Sequence, residues 1–170
     1  MDSKYLKIIL LAIASALFLS ALIVPFLSSS GSIIDLDGTM GYIDHSDIWN
    51  TLDPFSAAIY TVGDFICHQQ MSRTIILNGN EMPICVRDFG FLVGLVAGVL
   101  LMMVLKRYDK KKLVIISVAG LVLMFSDWII QKVFSLNVPE TRFITGIMAG
   151  IAATILFIMF MDGKISLDRR

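Results

Sequence analysis

Four apolar runs, Leu6 to Leu27, Phe89 to Leu105, Leu113 to Phe134 and Phe143 to Met161, restrict this chain more than any other feature. Each can cross a hydrocarbon core roughly 30 Å thick at about 1.5 Å per residue of helix. The composition agrees: 56% of the 170 residues are hydrophobic and 16% charged, against about 25% charged in soluble domains. The mean hydropathy is +0.80. The sequence therefore predicts an all-α integral membrane protein with four transmembrane helices, spanning about 6–27, 89–105, 113–134 and 143–161. Residues 1–170 read as a single membrane domain with lipid as its solvent. The first run exceeds the roughly 7 to 15 apolar residues of a signal peptide, and Ser28-Ser29-Ser30 offers no clear small-x-small cleavage site after a short core. It reads as a retained span.

Charge supplies the orientation. Lys4 and Lys7 flank the first run, Lys106, Arg107, Lys110, Lys111 and Lys112 fill the link between the second and third, and Lys164, Arg169 and Arg170 follow the fourth. By the positive-inside rule these segments are cytoplasmic, which makes the protein N-in and C-in, multi-pass in the cell membrane. The outer loop, 28–88, holds only Arg73 and Arg87 as Lys or Arg and is extracytoplasmic. Lys plus Arg and Asp plus Glu each number 14, so nothing points to a nucleic-acid partner.

Within that loop, Asp35, Asp37, Asp44 and Asp47 do not match a calcium loop, whose glycine belongs at the sixth position; Gly38 comes fourth after Asp35. They read as a solvated acidic stretch, and His45 as a solvated histidine. Asp53-Pro54 marks a helix start, an N-cap followed by proline at the first helical position. The helix from Phe55 to about Ile66 places Phe55, Ile59, Val62 and Ile66 on one face and is too short to span, so it should lie at the interface or against the bundle. Asn78-Gly79 predicts a β-hairpin in which Leu77 pairs with Asn80 and Ser72 with Cys85. Such a hairpin returns Cys85 to Cys67 and His68. In the spans, Gly90, Gly94 and Gly98, with Gly146, Gly150 and Thr154, form small faces for close helix packing, and such faces also suit contact with other membrane proteins.

Most candidate chemistry gathers between Asp64 and Gly94. Cys67 and Cys85 suit a disulfide, which would contribute about 3 kcal/mol by closing this loop. With His68 they are also soft and borderline ligands for a transition metal such as zinc, completed by a carboxylate or water, although adjacent Cys and His can both ligate only with an unusual backbone. A thiol redox pair is the third reading, without the Cys-x-x-Cys spacing that marks such chemistry. In the third span Asp127 and Gln131 share a face at i, i+4, and an intramembrane carboxylate needs a partner; Arg87 and Arg142 are the natural ones. A structural ion pair, with Trp128 as an interfacial anchor, explains this set as well as a functional site does.

Cys67-His68-Gln69 with Arg73, then Met82-Pro83-Ile84-Cys85-Val86-Arg87-Asp88 leading to Gly90 and Gly94, resembles an uncharacterised prokaryotic family of small membrane proteins. That family is catalogued as the domain of unknown function numbered two thousand and eighty-five. Asp127 with Gln131, then Arg142 before Thr145-Gly146, extends the resemblance over roughly residues 60 to 155. It implies the fold and a shared outer-face polar site, and no established activity. Family members often carry a further Cys or polar residue where this chain has Asp88, and a Gly where it has Trp128. The expected function is an outer-face pocket for a small polar, lipid head-group or metal ligand, with Arg73, Arg87, Gln131 and Arg142 as ligand-binding residues. Two alternatives stand beside it: a metal-dependent hydrolase with Asp88 or Asp127 as general base, and a non-catalytic scaffold subunit.

Overall fold

The computed structural model describes residues 3–105 and 108–168, so Lys106, Arg107, Arg169 and Arg170, on which the orientation argument draws, lie outside the described residues. Among the described residues four helices are long and apolar enough to cross a membrane: α1 (Ser3–Leu27), α4 (Val86–Val104), α5 (Lys110–Val133) and α6 (Pro139–Asp168). The last three begin about a turn before their apolar runs. Hydropathy marks only the apolar stretch, whereas hydrogen bonding also takes in polar first turns such as Val86-Arg87-Asp88. Asp109 caps α5, accepting from the Lys111 and Lys112 N–H groups at 2.9 and 3.3 Å. Pro139 opens α6, where its missing N–H costs nothing.

Between α1 and α4 lie α2 (Ser46–Trp49), α3 (Pro54–Ile66), a tight helical turn at Met71–Arg73, and the strands β1 (Thr74–Leu77) and β2 (Asn80–Cys85). The chain divides into two compact units, Leu17–Phe89 and Met1–Ala16 with Gly90–Arg170.

In the unit containing α5 and α6, the expected glycine face does its packing within the chain. A Cβ added at Gly94 would lie 2.9 Å from the Gly150 Cα, and one at Gly98 would lie 2.8 Å from the Thr154 Cβ. Backbones that close accept only glycine. These faces are therefore occupied by α4 and α6 themselves and are not left for other membrane proteins. Lys7 donates to the Met102 carbonyl at 3.1 Å, pairing an acceptor that the last turn of α4 leaves open. The far side of α5 exposes Ile115, Ile116, Val122 and Phe125, as a lipid-facing span should.

The other unit has its own core of Val24, Ile33, Leu36, Trp49 and Tyr60, with the Trp49 and Tyr60 rings stacked at 4.9 Å. Asp53 caps α3 as expected, accepting from Phe55 and Ser56 N–H groups. The hairpin turns at Asn78 and Gly79, both at positive φ (54° and 74°), and Leu77 pairs with Asn80 as expected. Beyond that the register departs: Cys85 faces Thr74, not Ser72, because the ladder is irregular between Thr74 and Ile76. Pro83 lies in the matching stretch of β2; it cannot donate to a ladder and belongs at such a bulge. On α3, Phe55, Val62 and Ile66 share a face as expected, and that face is exposed; Ile59 packs on the core, and Phe65 is exposed instead.

Candidate functional site

Cys67 ends α3, with extended backbone (φ −132°, ψ 151°). Successive side chains of extended chain point to opposite sides, so Cys67 turns inward, 5% exposed, and His68 turns out to solvent. Cys85 ends β2, and Asp88 lies in the first turn of α4 that follows at once. One ligand atom each from Cys67, Cys85 and Asp88 lies within 4.8 Å of the others. Both cysteines are free thiols. The Cys85 backbone N–H donates to the Cys67 sulfur at 3.3 Å, and the Cys85 thiol donates to Asp88 Oδ2 at 3.1 Å. Asp88, not His68, is thus the third member of this group.

The electrostatics of the two thiols diverge. The adjoining Cys85 side chain, against the opposing effects of burial and the Asp88 charge, holds Cys67 below the usual thiol range. The adjoining Cys67 side chain, burial and the Asp88 carboxylate push Cys85 up. Backbone N–H groups of Gln69 and Cys85 aimed at the Cys67 sulfur stabilise a thiolate there.

The other expected members divide between the units. Arg73 is exposed and Arg87 half-buried, both in the unit of the cysteines. Asp127, Gln131 and Arg142 belong to the other, where they form a hydrogen-bonded clamp at the junction of α5 and α6. Gln131 donates to Asp127 Oδ1 at 2.8 Å and to Thr141 Oγ1 at 2.9 Å, and its carbonyl oxygen accepts from Arg142 Nε. The Thr145 hydroxyl stands 3.3 Å from Asp127 Oδ2. Every polar atom of the Gln131 amide is used. Gln131 joins the Asp127 carboxylate to Arg142.

Sequence reasoning missed a second buried polar group. Asp64, fully buried, accepts from the Trp49 indole at 2.9 Å, the His45 backbone at 3.0 Å, and pairs with His45 Nδ1 at 3.2 Å. His45 is therefore a partner of Asp64 and not a solvated loop residue. Glu81, also fully buried, accepts from the Leu36 N–H at 3.1 Å, while its second oxygen has no partner among the described residues. Burial raises its pKa. Tyr60, whose hydroxyl donates to the Glu81 carbonyl at 2.6 Å, is likewise pushed up by burial and then by the Glu81 charge. A buried carboxylate in a turn-flanking strand leaves no sequence signal beyond its charge.

Over residues 67–167 the chain matches the family described as a predicted membrane protein, DUF2085. The chain belongs to this family. It is 28% identical over 159 residues to the uncharacterised protein MJ1492 of Methanocaldococcus jannaschii, a match covering 91% of this chain and 89% of that protein. No solved structure matches the chain. The DUF2085 segment begins at Cys67, so it takes in the thiol–carboxylate group and the α5–α6 clamp but leaves out Asp64, His45 and all of α3. With four helices long and apolar enough to cross, this DUF2085 protein is a multi-pass membrane protein in its composition as well as in its family.

Proposed function

We propose that this membrane protein binds a thiophilic divalent cation, zinc by the chemistry of its donors, through Cys67, Cys85 and Asp88 on the extracytoplasmic face. The mutual approach of three ligand atoms to within 4.8 Å carries the reading. Tetrahedral zinc with bonds of about 2.0–2.3 Å sets its ligand atoms roughly 3.3–3.8 Å apart, a small contraction from this arrangement. The N–H donors on the Cys67 sulfur support it further, because outer hydrogen bonds orient and stabilise a thiolate ligand. Three protein donors leave one tetrahedral position for water or a small ligand. The extracytoplasmic side rests on the lysine and arginine distribution. Gln131 and Arg142 serve the α5–α6 clamp in this reading, and the hydrolase alternative loses Asp88 as base because Asp88 is a ligand.

Elemental analysis of purified protein tests this. Equimolar zinc is expected in the wild type and in His68→Ala, with loss in Cys67→Ala and Cys85→Ala and affinity lowered at least about tenfold in Asp88→Asn. Metal-free protein without titratable thiols would replace the site with a Cys67–Cys85 disulfide, and zinc retained by Cys67→Ala would overturn the ligand set.

A further inference from the structure

α3 is amphipathic in an inverted sense. At about 100° per residue, Phe55, Val62, Phe65 and Ile66 fall within an arc of about 100°. They are 49%, 56%, 52% and 49% exposed, respectively. The side that packs inward carries Ser56, Tyr60, Gly63 and Asp64, small or polar apart from the Tyr60 ring. A helix that hides its polar side and shows its aromatic side to the surroundings does not have water there.

Depth follows from what α3 is fastened to. Tyr60 shares a buried cluster with Val24, in the last turn of the span α1. Asn80, at the start of β2, the strand that lies against α3, donates to the Pro25 and Ser29 carbonyls at 2.8 and 3.0 Å, at and just past that span's end. The fit of α3 onto β2 leaves no slack: a Cβ at Gly63 would lie 2.9 Å from the Pro83 carbonyl carbon. The span α1 leaves the hydrocarbon at Leu27, so a helix packed on its final turns sits where acyl chains meet headgroups. Its 13 residues, about 20 Å of helix, cannot cross the core but can lie in its surface. No lysine or arginine occurs in α3, so apolar burial and not attraction to anionic lipid holds it.

We infer that α3 lies in the plane of the bilayer surface with Phe55, Val62, Phe65 and Ile66 immersed at the boundary of headgroups and acyl chains. Near the end of α1, in the same unit, Ile23, Phe26 and Leu27 are likewise exposed. Cys67, the residue that ends α3, is thereby held at headgroup level.

The test uses the full chain in nanodiscs of phosphatidylcholine. Val62→Trp and Phe55→Trp each place an indole on the exposed face, leaving the core untouched, and the wild-type emission of Trp49 and Trp128 is subtracted. Acyl chains brominated near the headgroup should quench the added emission, more than bromine near the chain end does, and aqueous acrylamide should not. Quenching by acrylamide alone at both positions would place the face in water and overturn the inference. Protection from both quenchers would overturn it in favour of a protein partner such as a second copy. Because neither position belongs to the cysteine group, the result is independent of whether zinc is bound.

Discussion

Asn80 shows how much one side chain can hold. It looks like a residue flanking a turn, yet it is fully buried, donating to the Pro25 and Ser29 carbonyls and accepting from the Ile33 N–H at 3.0 Å. Asn80→Ala takes the acceptor from the buried Ile33 N–H, while the Pro25 carbonyl keeps Asn78 and the Ser29 carbonyl keeps Ser32 as donors; an unsatisfied buried polar group costs about 1–3 kcal/mol. A drop of that size in unfolding free energy in detergent is expected. Ser32→Ala, which removes an exposed hydroxyl, should stay within about 0.5 kcal/mol. Glu81 adds a dependence on pH. Its folded pKa is raised above the ordinary 4.5, first by burial and also by Asp35, against lowering from the Leu36 and Asp35 N–H groups and from His45. The folded protein then holds this proton more tightly than the unfolded chain. Its stabilising contribution is complete below 4.5 and is lost as pH rises through the folded value. Thermal unfolding across that window should show stability falling with pH in the wild type and a flatter profile in Glu81→Gln; equal slopes would remove Glu81 as the cause.

Among the elements, the hairpin and the glycine-faced helices were legible for different reasons. Asn78-Gly79 specifies its turn through the positive φ that both residues tolerate, a local property. The register beyond it was not legible, since counting outward assumes an unbroken ladder and Pro83 breaks it. The four-residue spacing of Gly90, Gly94 and Gly98 announced a close contact, and the partner proved to be α6 of the same chain. Gly94→Ala must push the α4 and α6 backbones apart, which should lower stability by about 1–3 kcal/mol, as overpacking does. Gly120→Ala, whose new Cβ would come only within 3.4 Å of the Met148 carbonyl oxygen, should be nearly neutral in the same melt. Equal losses in the two variants would mean that α4 and α6 do not meet closely.

For the whole molecule, lysine and arginine placement makes a statement about topology that side-chain contacts within either unit cannot make. Thr39→Cys, exposed in the loop between α1 and α2, should react with a membrane-impermeant maleimide on intact cells, above the background of buried Cys67 and half-buried Cys85. Labelling only after permeabilisation would reverse the orientation and move the thiol–carboxylate group to the cytoplasm. The 58 residues between Leu27 and Val86 also carry more structure than loop composition suggests. The reason is that buried Asp64, Gln69, Asn80 and Glu81 tie the segment together in place of a large apolar core.

The sequence by itself determined the spans, the start of α3, the hairpin turn and the neighbourhood of Cys67 and Cys85, because each depends on apolar length, a cap or two residues at positive φ. Tertiary structure alone decided that Asp88 and not His68 joins the cysteines, that His45 pairs with Asp64, and that Gln131 links Asp127 to Arg142. Those outcomes depend on which way an extended residue faces and on contacts between residues up to 19 positions apart. No spacing rule in one chain encodes them.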